Sequence, residues 1–182
     1  MAAIDDFAKL LFDEAKAFLE KGRDATLLEA QTAYFHASLL LGFCALEAHL
    51  NSIADDFFTT RSDLSLLDKS ILEEKEIELK DGEYILTNRI KMFRLEDRIE
   101  YLSRRFAGKV IDKSAAYWTD FKEAIRLRNN LTHPKVPPTI DAGSVQRALT
   151  AILELLNVLY RDIYRVKGYP GYNRGLDTAM TF

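Results

Sequence analysis

Cysteine is nearly absent: Cys44 is the single one in 182 residues, so no intrachain disulfide framework can form. Nothing in cysteine usage points to an oxidising compartment. The position of Cys44 in an apolar helical run makes it read as an inert, buried thiol. Histidine is scarce as well, with three, His36, His49 and His133, scattered along the chain. These and one cysteine give no zinc spacing. His36 and Glu47 share a helical side but stand about 16 Å apart along the axis, too far for one metal. A Gly-rich phosphate loop and a Gly-x-Ser-x-Gly elbow are both missing, as are internal repeats and low-complexity tracts. No metal and no cofactor are expected.

Membrane signals are also wanting. The N-terminus carries Asp5 and Asp6 instead of a basic leader and a cleavable apolar segment. The least polar run, 30–46, includes Gln31, Thr32, His36 and Ser38 and falls short of the about 20 apolar residues of a span. The expectation is a cytoplasmic protein without a membrane partner. Asp5-Asp6 and Asp55-Asp56 read as solvated or N-terminal charges.

What is present is a core. A hydrophobic fraction of 48% and 11% aromatic residues argue for a folded globule, and the length suits one domain. The net charge of −3 conceals an uneven distribution: residues 1–88 hold 8 Lys/Arg against 18 Asp/Glu, residues 89–135 hold 12 against 6. A basic segment can contact phosphates; alternatively it pairs with the acidic half.

Apolar periodicity is helical nearly throughout. Segment 5–21 places Phe7, Leu10, Leu11, Ala15, Phe18 and Leu19 on one stripe, with Gly22 as a stop. A long helix follows over about 24–58, with Asp24 as N-cap and a middle that is apolar around most of its circumference, as in the central helix of a bundle. Asp63 can cap a short helix to about residue 75. Alternation then resumes on both sides of Asp81-Gly82, predicting a β-hairpin near 76–88 that should pack on the helices or on a partner. Helices are expected over about 92–106, 114–131 and 141–166, with Pro134, Pro137 and Pro138 in a stiff loop and Trp118 in the core. The fold class is all-α: an antiparallel bundle of four to five main helices with a small β-hairpin insertion, over 1–166. The aperiodic tail 167–182 either frays or lies extended over a surface.

The segment Arg128-Asn129-Asn130-Leu131-Thr132-His133-Pro134 concentrates the chemistry. Cleaving an RNA backbone requires removing the 2′-hydroxyl proton, protonating the leaving 5′-oxygen and offsetting charge on the phosphorane. Histidine serves either proton transfer near neutral pH. Arginine is a permanent, bidentate cation for the phosphate. Asn129 and Thr132 can orient a water, a hydroxyl or the imidazole. In an unbroken helix residues 128 and 133 would lie about 140° apart; Pro134 disfavours helical geometry at His133, which frees its side chain to swing out. Arg126 and Asn129 lie on the side His133 would occupy, making Arg126 a candidate second phosphate contact. The structural alternative is an arginine pairing with the acidic half, asparagines capping a helix end and His133 bonding a last-turn carbonyl.

Arg128, Asn129 and His133, spaced Arg-Asn-x-x-x-His near the end of a helix in a small all-α chain, resemble the HEPN superfamily (higher eukaryotes and prokaryotes nucleotide-binding domains). Residues 45–51, Ala-Leu-Glu-Ala-His-Leu-Asn, are similar to the helix facing that motif in many members. The resemblance covers most of 1–166. It implies a metal-independent endoribonuclease whose composite site forms from two motifs across a homodimer, leaving a 2′,3′-cyclic phosphate. It also implies a toxin or defence effector, with an antitoxin or other protein as partner, or a non-catalytic module binding RNA, a nucleotide or a protein. Some members carry a modifiable tyrosine two positions after the histidine; here Lys135 stands there. Glu47 and Asn51 lie about 40° apart on an otherwise apolar helix, where a carboxylate needs a cation or donors. Glu47 is therefore expected either to orient Arg128 or Arg126, or to occupy an exposed edge or bond another helix.

Overall fold

The computed structural model describes residues 2–180, with side chains from residue 4 onward. Six α-helices and one antiparallel strand pair follow one another: α1 (Ala2–Asp24), α2 (Leu28–Thr60), α3 (Leu66–Glu73), β1 (Lys75–Lys80), β2 (Glu83–Ile90), α4 (Leu95–Leu102), α5 (Ala116–Thr132) and α6 (Ala142–Tyr164). A π-helical turn, Ser103–Ala107, extends α4 and stops at Gly108, whose φ of +69° only glycine adopts without strain. The chain is thus mainly helical with a small hairpin.

The ends of these helices are set by chemistry that differs in part from the expected signals. Asp24 is not the cap of α2; it is the last residue of α1, and α2 starts after Leu27 with no side-chain cap. Gly22 does not stop α1 either. Its missing Cβ admits the Phe35 ring, whose Cε1 would lie 2.4 Å from an added methyl carbon. The cap of α3 is Ser65 rather than Asp63: its hydroxyl accepts from Asp68 N–H while the Asp68 carboxylate accepts from Ser65 N–H. Asp141 and Ser144 form the same reciprocal box at the start of α6. Residues 92–94 are not helical; Arg94 is the N-cap of α4.

α1 folds back along α2. Gly22 meets Phe35, the Phe18 and Tyr34 rings lie 5.9 Å apart, and the Ser38 hydroxyl donates to Ala15 O at 2.6 Å. From Ala15–Ser38 to Gly22–Phe35 the position on α1 rises while that on α2 falls, so the pair is antiparallel. The buried face of α1 is Ala8, Leu11, Phe12, Ala15 and Leu19, while Phe7 and Leu10 are exposed. The expected stripe was off by about one position because helix apolarity alone does not choose among adjacent faces. α6 supplies the densest part of the core, Val145, Leu149, Ile152, Leu156 and Leu159. It crosses α2 so closely at Gly42 that a Cβ there would lie 2.5 Å from Leu149 Cδ2. Trp118 and Phe121 of α5 close the core, with Phe121 stacked on Phe43 of α2 at 6.3 Å.

α2 is long and apolar enough, by length and composition alone, to cross a bilayer, and 61% of its apolar window is buried inside the chain. It is not covered all round. Ala33, Ala37, Leu40 and Cys44 form a strip left exposed or half-exposed. Cys44 is therefore an exposed thiol rather than a buried one; partial desolvation, then the Glu47 carboxylate, raises its pKa, with Arg128 opposing.

The hairpin turns on Asp81 (φ +51°) and Gly82 (φ +86°), the two left-handed residues of a type I′ turn. Leu79 faces Tyr84 across the strands and both are more than half exposed, so the tip projects from the helices. The tail neither frays nor hangs free over its described part. Tyr169 is buried, its N–H bonded to Asn157 Oδ1 and its hydroxyl 3.2 Å from His49 Nε2. Lys16, almost wholly buried, donates to Asp177 O at 3.1 Å. Residues 1, 181 and 182 lie outside the described part of the chain.

Candidate functional site

α5 carries the Arg-Asn-x-x-x-His sequence in its last two turns. Thr132 is its final helical residue, and His133 (φ −133°, ψ 61°) has left the helix while its N–H still bonds Asn129 O at 2.9 Å. The proline that follows makes this ending necessary. Buried Phe121, Ala124 and Ile125 pin α5 against the core. That anchoring turns Arg128 toward α2.

There Arg128 meets two groups. Its Nη2 stands 3.7 Å from Glu47 Oε1, and its guanidinium carbon lies 5.0 Å from the centre of the Phe43 ring. Phe43 and Glu47 are one helical turn apart, so α2 presents a π-face and a carboxylate to the same cation. The side chain is three-quarters covered, and its Nε–H is buried without a hydrogen-bond partner. A partly desolvated guanidinium with an unused donor suits an anion better than a fully solvated one.

Arg128 and Asn129 line a cleft of about 310 Å³ together with Glu47 and Asn51 of α2. The opposite wall is the root of the hairpin and the start of α4, including Phe93, Arg94 and Arg98. Arg98 is buried: Nη1 bonds Glu74 Oε2 at 3.0 Å, Nη2 bonds Leu72 O at 3.3 Å, and Nε lacks a partner. Burial lowers its pKa, with Glu74 and then Glu47 opposing that shift. Four of the expected residues thus share one cleft, and Arg98 joins them unforeseen. Its signal lay in the periodicity, since position 98 falls on the same side of α4 as Leu95 and Leu102.

The remaining expected residues lie elsewhere. The His133 side chain is exposed, outside the cleft lining. Arg126 is exposed too, and its Nε donates to Glu123 Oε2 at 2.9 Å. It pairs within its own helix rather than extending the cleft. The Thr132 hydroxyl donates back to Arg128 O at 3.1 Å and Asn129 O at 3.4 Å, which uses its proton inside the helix and leaves none for orienting a substrate.

Four arginines of the basic segment pair with carboxylates of the acidic half. Arg89 pairs with Glu76 and Glu78, Arg98 with Glu74, Arg105 with Asp63 and Asp68, and Arg128 with Glu47. Among the described residues no group of three or more His, Cys, Asp or Glu is gathered as metal ligands would be.

No family model, curated protein or solved structure matches this chain. Residue chemistry and geometry carry the functional reading.

Proposed function

We propose that the chain is a HEPN-type endoribonuclease, built as an antiparallel helical bundle, that cleaves RNA without a metal at a site shared between two copies. The observation that carries this reading is the Arg128 guanidinium, fixed between Glu47 and the Phe43 ring at a cleft that Asn51 and Asn129 also line. Arg128 holds the scissile phosphate and offsets charge on the phosphorane, where a preorganised cation contributes most. The His133 imidazole takes the 2′-hydroxyl proton as the 2′-oxygen attacks phosphorus. The P–O5′ bond breaks, and the 5′-oxygen takes a proton from the second copy's imidazolium. A 2′,3′-cyclic phosphate and a 5′-hydroxyl result. Asn129 orients the reacting groups. Glu47 positions Arg128, and Asn51 lines the substrate cleft.

A homodimer answers two features. His133 stands exposed outside the cleft lining, and the reaction uses two imidazoles, one as base and one as acid, of which each chain carries one at this end of α5. The uncovered strip Ala33, Ala37, Leu40 and Cys44 continues along one side of α2 into Glu47 and Asn51, which gives a second copy an apolar surface beside the site. The proposal includes a cytoplasmic toxin or defence role, with an antitoxin or another protein as further partner.

A second reading is a non-catalytic module that binds RNA, a nucleotide or a protein. The charge balance of the cleft favours it, since Glu47, Glu74 and Glu96 stand against Arg94, Arg98 and Arg128. Incubating the intact protein with labelled RNA in chelator separates the two. Fragments with cyclic-phosphate ends that vanish in Arg128→Ala and His133→Ala support the nuclease, and retention of RNA without cleavage supports the module. Neither cleavage nor retention overturns both RNA readings.

A further inference from the structure

The face of α2 that turns away from Glu47 borders a second and larger cavity. Position 56 lies about 180° around the helix from position 47, and Asp56 and Ser52 form one wall of a space of about 570 Å³. Tyr160 and Tyr164 of α6 form another, and Val166 with the start of the tail closes the rim. The volume lies in the range of small-molecule sites, about 300–1,000 Å³, and the lining is mostly apolar with a few polar groups, as such sites are.

The two carboxylates in the lining differ. Asp5 is fully engaged: it accepts from the Tyr160 hydroxyl at 3.0 Å and forms an ion pair with Lys9 at 2.5 Å. Asp56 has no cationic partner among the described residues. Its Oδ2 accepts from the Tyr164 hydroxyl, while its Oδ1 is buried with no hydrogen-bond partner at all. A buried carboxylate oxygen without a donor is costly and calls for one. His49, behind the Tyr160 wall, supplies no positive charge near neutral pH because burial holds its pKa at about 4. Among the described residues Lys167 is the one cation in the lining, and its side chain is exposed. The pair of phenol rings, 5.4 Å apart and tilted, offers π-faces that attract cations and repel anions.

We propose that this cavity is a binding site for an organic ammonium ion, a primary amine on an apolar body, whose –NH₃⁺ donates to Asp56 Oδ1 while its carbon skeleton lies against Tyr160 and Tyr164. The broad χ2 torsion of aspartate lets the carboxylate turn to meet the ligand. An anion would meet Asp56 unscreened. A neutral alcohol could give Asp56 a hydrogen bond but no charge. The site lies apart from the Arg128 cleft and does not depend on how that cleft is used.

Calorimetric titration of the intact protein with phenethylamine, 2-phenylethanol and 3-phenylpropionate tests this. The amine should saturate with Kd below about 1 mM, the alcohol should bind roughly tenfold more weakly or worse, and the carboxylate should not bind. Asp56→Asn should weaken the amine by roughly ten- to hundred-fold and leave the alcohol unchanged. Val166→Trp, at a half-exposed position on the rim, should weaken both by filling the cavity, and it keeps the test decisive if the Asp56 variant folds poorly. Equal binding of amine and alcohol, amine binding indifferent to both substitutions, or no saturation by the amine would each overturn the assignment.

Discussion

Acidification from neutrality to about pH 5 should destabilise this protein mainly through one imidazole, that of His49. The ring is fully buried in α2, with Nδ1 3.1 Å from the Tyr160 hydroxyl and Nε2 3.2 Å from the Tyr169 hydroxyl. Burial lowers its pKa from 6.5 to about 4; Asp5 opposes that shift and Lys9 adds to it. In the native state the ring therefore stays neutral down to about pH 4, whereas in the unfolded chain it gains a proton near 6.5. The unfolded state binds more protons throughout that window, so stability falls as pH falls. The full gap corresponds to about 3 kcal/mol, of which about 2 kcal/mol is lost between pH 6.5 and 5. Asp5, Asp63 and Asp68 have native pKa values held below the ordinary 3.8, so the stability they contribute is lost only at lower pH. Urea denaturation at a series of pH values reads the effect directly. His49→Gln, whose amide can still reach a tyrosine hydroxyl, should flatten the slope between pH 5 and 6.5. An imidazole NMR titration of His49 with a midpoint near 6.5, or identical slopes for the two proteins, would refute the reasoning.

Three further outcomes follow from the packing and the site. On the proposed nuclease reading, Glu47→Gln should reduce RNA cleavage by about tenfold by loosening Arg128 while leaving thermal stability within a few degrees, because a half-exposed pair at 3.7 Å contributes under about 1 kcal/mol; an unchanged rate would remove Glu47 from the positioning role. Gly42→Val should destabilise by about 1–3 kcal/mol in urea, since the new Cβ would fall 2.5 Å from Leu149 Cδ2 in the α2–α6 crossing. Removing residues 167–182 should lower stability by about 3 kcal/mol or more, because Tyr169 leaves the core and the Lys16 ammonium loses the Asp177 carbonyl; equal denaturation midpoints would show the tail to be passive.

Much of the fold was legible because its signals are local. Five helical stretches follow from apolar periodicity, a short sixth was placed from an expected cap at Asp63 that proved to be Ser65, and the hairpin follows from alternation around Asp81-Gly82, where both residues take positive φ. The caps were less legible. Asp24, Ser65 and Asp141 are all competent capping residues, and only Ser65 and Asp141 cap; the choice depends on where the neighbouring helix ends. The pairing of Glu47 with Arg128 was open to expectation because a carboxylate on an apolar helix needs a partner. Arg98 and Asp56 were harder, because a charged residue beside an apolar stripe reads the same whether it ends in water or in a wall.

By itself the sequence determined the periodic elements, the proline-forced end of α5 at His133 and the collection of an arginine, an amide and an imidazole at that end. Those depend on backbone sterics and side-chain spacing within a few residues. Only the tertiary structure decided which face of α1 is buried, that Cys44 is exposed, that His133 stands outside the Arg128 cleft and that Asp56 lines a cavity beside Tyr164. Each of these depends on which surfaces of distant helices meet, and a helix carries that information only when its partner is present.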